Sequence, residues 1–131
     1  MKHVESIISK ILSSKTTSEV DFKGHWVNEL KSYMDLTISG TSVTGSYVSA
    51  VSKTDAPTKP FDLFGTVAGD MISFTVNWGN SITTWIGHGV IEDGKPEILT
   101  LWHLVVAIPN ETDPEVQWKT VMAGGDTFRR A

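Results

Sequence analysis

The chain has 131 residues, no cysteine and a formal net charge of −4. This length suits one domain with one core, and 40% hydrophobic with 20% charged residues is the balance of a folded globular protein. The acidic balance argues against a nucleic-acid partner, because such binding needs a basic surface. The lack of cysteine excludes disulfides and thiol catalysis, and the short apolar runs argue against a membrane-spanning helix.

Val, Ile and Thr together make up 38 of the 131 residues, and five Trp accompany them. β-Branched and aromatic side chains suit the half-buried surface of a pleated sheet. Eleven Gly and five Pro are spread along the chain and can supply the turns. The composition therefore predicts an all-β fold.

The first fifteen residues carry a helical pattern instead. Apolar residues at positions 4, 7, 8, 11 and 12 form one stripe of an amphipathic helix. Polar residues interrupt this stretch, so it is not predicted to be a secretory signal peptide. We expect a short helix and a linker over residues 1–20, and the helix either packs on the domain surface or meets a second copy in an oligomer.

From residue 24 onward the hydrophobic period changes to two, and turn-forming residues separate eight such segments. Eight sequential antiparallel strands form an up-and-down barrel or a sandwich, and a barrel has no free edges and can hold one small ligand. We predict an eight-stranded antiparallel up-and-down barrel over residues 21–131, after the short N-terminal amphipathic helix. The predicted strands are 24–31, 33–39, 43–51, 61–68, 71–78, 82–91, 97–107 and 117–125.

The predicted strands 82–91 and 97–107 are apolar on both faces. By the alternation of a strand, Trp85 and Trp102 lie on one face, whereas Ile86 and Leu101 lie on the other. Apolar side chains on both faces indicate that the outside of the barrel is also covered. We therefore expect a homo-oligomer.

Sequence motifs of common catalytic sites are missing. The chain has no HExxH, no GxSxG and no glycine-rich phosphate loop. The four histidines lack metal-ligand spacing, and His88 and His103 are predicted on the outer face. We expect neither enzymatic activity nor a metal site.

Aromatic residues alternate with small hydroxylated residues in six segments. In order and approximate spacing, these segments resemble the avidin/streptavidin family of biotin-binding proteins over about residues 24–128. Each segment alone is weakly specific, whereas six in order along one short chain are highly specific. The segments are Trp26-x-Asn28-x-Leu30-x-Ser32, GSYVSAV at 45–51, FTVNW at 74–78, SITTWIG at 81–87, TLWHL at 100–104, and WKTVMAGGDTF at 118–128.

The resemblance implies high-affinity, non-catalytic binding of biotin in the barrel interior, with biotin as a ligand and no cofactor. Biotin is a bicyclic urea, so its pocket needs donors for one oxygen and acceptors for two N–H groups in a dry site. The family pattern assigns the donors to Asn28, Ser32 and Tyr47. It assigns the acceptors to Ser49 and Asp126.

The resemblance also implies the remaining contacts of the ligand. Thr83 faces the ring sulfur, and the valerate carboxylate meets Ser81 and the backbone near Ser52 and Lys53. A neighbouring subunit contributes Trp118, which favours a homotetramer. The implied apolar box consists of Trp78, Trp85 and Trp102, closed by Leu30, Val51 and Leu104. Members of the family are generally secreted or periplasmic, although no signal peptide is visible in this chain.

Two other functions fit an eight-stranded barrel. A lipocalin-like carrier of a small hydrophobic ligand would have an inner face poor in polar groups. Five inward polar residues argue against it, namely Asn28, Ser32, Ser49, Thr83 and Asp126. A barrel enzyme could use Asp126 as a general acid or base. Such an enzyme needs a second titratable group on the inner face, and Tyr47 is the one that the pattern offers.

Overall fold

The computed structural model describes residues 4–11, 18–50, 59–118 and 120–130. The strands form one closed antiparallel barrel in sequence order, and the last strand pairs back to the first. This confirms the predicted eight-stranded barrel. The elements are α1 Val4–Ile11, β1 Gly24–Asn28, β2 Tyr33–Ser39, β3 Ser42–Val48, β4 Phe61–Ala68, β5 Met71–Asn77, β6 Ser81–Glu92, β7 Lys95–Val106, α2 Pro114–Trp118 and β8 Val121–Arg130.

Strict alternation of burial builds the barrel core. In β2, Met34 and Leu36 are buried, while the intervening Asp35 is exposed. In β5, Phe74 and Val76 are buried in the same way. Each strand therefore turns one apolar row inward, and closure of the sheet joins these rows into a single core.

The end of the barrel that holds Trp26, which we call the closed end, is packed with side chains. The Trp26 side chain is fully buried and its Nε1 donates to the Phe22 carbonyl at 2.8 Å. The Arg130 guanidinium lies over the Trp26 ring, 3.9 Å from its centroid, and also donates to the carbonyls of Lys23 and Asp21. Trp26 is therefore a core residue.

Residues 18–20 of the predicted linker lie against this closed end. The backbone N–H groups of Glu19 and Val20 both donate to Asp70 Oδ1 at 2.8 Å. The Val20 side chain is buried and packs in the core cluster. The chain is thus attached to the barrel before β1 begins. In α1, by contrast, the apolar side chains of Val4 and Ile7 are exposed.

Several predicted strand boundaries are wrong at the open end of the barrel. β1 ends at Asn28 instead of residue 31, because a tight turn follows in which Lys31 has a φ of 71°. β3 ends at Val48 instead of residue 51. These ends lie where turn geometry, and not hydrophobic alternation, determines the backbone.

The last predicted strand, 117–125, is also displaced. β8 is Val121–Arg130, and Trp118 lies in the short helix α2 and not at the start of a strand. The helix has a local cause, because Asp113 Oδ1 accepts the N–H of Glu115 at 3.0 Å as an N-cap, and Pro114 occupies the first helical position.

The outside of β6, β7 and β8 carries a continuous row of exposed apolar side chains. Ile86 and Leu101 are paired across β6 and β7 and are 62% and 67% exposed. His88 and His103 lie on the same outer side. The predicted apolar exterior is therefore confirmed. The members of this outer apolar face are Ile82, Ile86, Leu99, Leu101, Val105 and Val121.

In the described residues, we find no helix with the length and apolar character that a membrane span requires.

Candidate ligand-binding site

The end of β1 and the turn that follows it present two buried polar side chains to the barrel interior. Asn28 Oδ1 accepts the backbone N–H groups of Leu30 and Ser32, both at 3.0 Å. Asn28 and Ser32 are 7% and 3% exposed. Because its oxygen is used by the turn, the Asn28 amide directs its N–H donors elsewhere. The Ser32 Oγ accepts the N–H of Ala50 at 3.0 Å, which leaves its O–H group for a second hydrogen bond.

Tyr47, near the end of β3, adds a second hydroxyl beside Ser32. Its ring stacks on Trp85 with centroids 4.9 Å apart, and its side chain hydrogen-bonds with Ser32. Burial and the charge of Asp126 raise the pKa of Tyr47 well above its ordinary value. The hydroxyl therefore remains protonated and available as a donor. Ser49 follows β3 directly and is half-buried.

Aromatic rings form the walls and floor of the site. Trp78 Nε1 donates to the hydroxyl of Thr83 at 2.9 Å, and Phe61 packs edge-on against Trp78 at 5.0 Å. Trp85 is 4% exposed and lies beneath these groups between Tyr47 and Phe74. Such stacked and edge-on rings hold one another in fixed orientations. The walls are thus preorganised.

Trp102 completes the aromatic set from β7. It pairs with Trp85 across β6 and β7, and with Gly124 across β7 and β8. A Cβ at Gly124 would lie 2.4 Å from the Trp102 ring. The glycine therefore makes room for the Trp102 indole against the wall.

Asp126 of β8 is the acidic group of the site. Its Oδ2 accepts Trp85 Nε1 at 2.9 Å, and its backbone carbonyl accepts the Thr100 hydroxyl at 2.9 Å. Burial raises the pKa of Asp126, the Trp85 hydrogen bond lowers it, and the nearby Glu29 charge raises it again. Together these effects raise the pKa of Asp126 above its ordinary value. The Asn28 side chain also lies within hydrogen-bonding reach of the Asp126 carboxyl.

The described site residues separate into two polar sides. Asn28, Ser32 and Tyr47 offer donors, while the Asp126 carboxylate offers acceptor oxygens to the same interior. Among described residues, no group of three or more His, Cys, Asp or Glu could hold a metal ion. The arrangement suits a small neutral ligand that has both a carbonyl-type oxygen and N–H groups.

The structure gathers most of the predicted site residues. Ser81, Thr83 and Leu104 are inward-facing on β6 and β7, with Thr83 buried. Leu30 lies on the turn after β1 and is 58% exposed, so it stands at the rim. Val51, Ser52 and Lys53 lie outside the described residues, and for Trp118 the described part is its backbone in α2.

Three site-shaping residues were not identified as such from the sequence. Thr100 hydrogen-bonds to the backbone of Asp126, Phe61 packs against Trp78, and Gly124 accommodates Trp102. Thr100 lies on the same face of β7 as Trp102, and this alternation could have identified Thr100 from the sequence. The contacts of Phe61 and Gly124 are made across strands, so their roles depend on register.

Comparison with known proteins agrees with this geometry. The avidin family model matches residues 16–131. Afifavidin of Afifella pfennigii is 34% identical over 110 residues, which cover 79% of this chain and 65% of afifavidin. Avidin of Gallus gallus is 31% identical over 118 residues, covering 82% of this chain and 76% of avidin.

The barrel also superposes on solved structures of named avidins. A crystal structure of a rhizavidin–biotin complex matches with a TM-score of 0.68 and 28% identity, covering 83% of this chain and 91% of that one. The family match covers all eight strands, and together with the structural match it confirms the resemblance. The chain belongs to the avidin family.

Proposed function

We propose that this protein binds biotin, one molecule per chain, inside the barrel and without catalysis. The observation that carries the proposal is that hydroxyl and amide donors and a carboxylate acceptor lie inside one aromatic cage, which is formed by Trp78, Trp85 and Trp102. Family membership supports it, since a rhizavidin structure in the same family has biotin bound.

The polar groups match the chemistry of a cyclic urea. Ser32, Tyr47 and Asn28 donate to the ureido oxygen, and Asp126 and Ser49 accept from the two ureido N–H groups. A polar group that a bound ligand shields from water without offering it a hydrogen bond costs on the order of 1–3 kcal/mol. A urea supplies partners for both polar sides, whereas a purely hydrophobic ligand supplies none. This difference argues against a lipocalin-like carrier.

The bicyclic ring and the valerate tail use the rest of the cage. The ring sits among Trp78, Trp85 and Trp102, with Thr83 toward the sulfur. The tail carboxylate extends to Ser81 at the open end and to the backbone of Ser52 and Lys53. The remaining apolar contacts to biotin come from Leu30, Val51 and Leu104.

Isothermal titration calorimetry with biotin, combined with tryptophan fluorescence, tests this function. We expect one biotin per chain, an affinity far tighter than about 1 μM, and a change in tryptophan emission. A long-chain fatty acid should not compete. No heat and no fluorescence change at about 20 μM protein, a concentration well above such a Kd, would contradict the proposal.

We propose further that the protein is a homotetramer. The outer apolar face is a surface that monomers rarely leave in water, and a second copy is its natural cover. The Trp118 indole would then reach the ligand of a neighbouring subunit.

Trp118→Lys should speed biotin dissociation and reduce the solution mass together, because an indole over a ligand contributes about 1.5–3 kcal/mol. Wild-type dissociation and mass would exclude this role.

A secreted or periplasmic location is also proposed, on family membership alone. Fractionation of the producing cells followed by immunodetection tests it. Protein confined to the cytosolic fraction would overturn it.

A further inference from the structure

Lys59 lies at the open end of the barrel, just before β4 begins. Its Nζ lies over the Phe61 ring, 5.5 Å from the ring centroid. Phe61 pairs with Tyr47 across β3 and β4, and it packs edge-on against Trp78 with ring centroids 5.0 Å apart. The Lys59 ammonium is therefore separated by one aromatic ring from the Trp78 wall of the site.

The contact with Phe61 holds the ammonium near this wall. A cation within about 6 Å of a ring centroid is attracted to the face of the ring, and a lysine stem packs on apolar surface while its charged head stays in water. Lys59 is exposed, and within the described residues it forms no ion pair. Its positive charge can therefore act on an anion that a ligand brings to the open end.

The other groups around Trp78 and Ser81 bring no second cation. The Trp78 N–H donates to the Ser81 carbonyl at 2.8 Å, which places the start of β6 beside the Trp78 wall. A surface groove at Ser81 is lined, among the described residues, by uncharged ones. Asp62, which follows Phe61, is exposed and lies on the outer face of β4 by strand alternation.

The proposed ligand carries a negative charge to this place. Its valerate tail extends from the ring among the tryptophans toward Ser81, and its carboxylate is then at the open end. Hydroxyl and backbone N–H groups can hydrogen-bond with the carboxylate, but they do not neutralise it. An opposite charge several ångströms away still attracts it through water, and dissolved salt weakens this attraction.

We propose that Lys59 is a specificity-determining residue that makes the protein prefer ligands whose tail ends in a carboxylate over ligands with a neutral tail. The inference rests on the proposed function. Lys59 acts on the end of the tail, whereas the ureido ring binds among other residues. Its effect is therefore confined to acidic ligands.

The test compares biotin with biotinamide, which has the same rings and tail but a neutral end. Association rates are measured by tryptophan fluorescence in a stopped-flow instrument and dissociation rates by displacement, and their ratio gives each Kd. Lys59→Met is the decisive variant, because methionine keeps an unbranched stem over Phe61 and removes the charge.

At about 0.01 M salt, we expect Lys59→Met to bind biotin about 3–5-fold more weakly, while biotinamide binding changes by less than about twofold. Lys59→Arg keeps the charge and should keep the preference of the wild type for biotin. At about 1 M salt, where the screening length falls to about 3 Å, the difference between wild type and Lys59→Met should disappear.

Lys95→Met is the matched control. It removes the same charge from an exposed position at the start of β7, in the hairpin at the closed end of the barrel. The ratio of the biotin and biotinamide Kd values should equal that of the wild type. An equal change of this ratio in Lys95→Met and Lys59→Met would assign the effect to overall charge and overturn the role of Lys59.

The remaining outcomes separate the two proposals. No binding of either ligand by the wild-type protein would refute the proposed function. Binding of both ligands with the same ratio of Kd values in wild type and Lys59→Met would overturn the role of Lys59 and leave the function intact. An equal loss of biotin and biotinamide affinity in Lys59→Met would mean that Lys59 only packs on Phe61, and would also overturn it.

Discussion

We expect biotin binding to depend more on Asp126 than on any other single residue. Asp126→Ala should weaken biotin binding by about 2–4 kcal/mol, because a charge-assisted hydrogen bond is lost and the ureido N–H is left unpaired in a dry site. Calorimetric competition or dissociation kinetics measure the change. Asp62→Ala removes an exposed carboxylate from β4 and should have no effect. Unchanged affinity in a folded Asp126→Ala protein would place Asp126 outside the site.

Gly124 matters through the side chain that it accommodates. Gly124→Val places carbon atoms where the Trp102 ring now lies, since even a Cβ would be 2.4 Å from it. We expect displacement of Trp102 and a loss of about 1–3 kcal/mol in biotin binding. Ala123→Val, on the exposed side of the same strand, is the matched control and should bind normally. Tryptophan fluorescence of the free proteins reports whether the indole has moved.

At the scale of an element, the turn between β1 and β2 stores backbone strain. Lys31 has a φ of 71°, a left-handed conformation that L-residues with a Cβ adopt at a cost. Lys31→Gly should raise the free energy of unfolding by about 0.5–1 kcal/mol, as measured by urea denaturation. Lys31→Ala removes the same charge and keeps the strain, so it should not stabilise. Equal stabilisation by both variants would assign the effect to charge.

Residues 18–20 of the N-terminal segment lie against the closed end of the barrel. Deletion of residues 1–17 keeps the Glu19 and Val20 contacts to Asp70, and biotin affinity should stay within about tenfold, or 1.4 kcal/mol. Asp70→Ala in the full chain should lower the melting temperature, because two backbone N–H groups lose their acceptor. Solution mass decides the role of α1: an unchanged subunit count makes it a surface tether, and a reduced count makes it an oligomer contact.

At the scale of the whole molecule, the proposed homotetramer predicts that the outer apolar face controls assembly. Leu101→Lys places a charge at the most exposed member of that face and should dissociate the oligomer, since a buried unpaired charge is strongly unfavourable. Light scattering measures the mass. Thr37→Lys, at an exposed position on β2, should assemble like wild type. An intact oligomer in Leu101→Lys would move the interface elsewhere on the barrel.

Elements with strong alternation could be predicted from the sequence to within a residue or two. β2 and β4 have the bounds that their patterns predict, because side-chain parity and flanking turn residues specify a strand locally. β8 was displaced because the local capping of α2 at Asp113 overrides the apolar pattern around Trp118. Local hydrogen bonds of this kind are weakly visible in hydrophobic periodicity.

The sequence by itself determined the all-β class, the inward parity of Trp85 and Trp102, and the family resemblance, because these depend on residue type and order. The tertiary structure alone decided which groups meet. Glu29 reaches Thr127, and Trp85 reaches Asp126, only because closure of the barrel brings β8 back beside β1 and sets its register against β7. These two contacts join residues that are 98 and 41 positions apart in the sequence. They depend on closure of the barrel, and the hydrophobic periodicity of the chain does not indicate them.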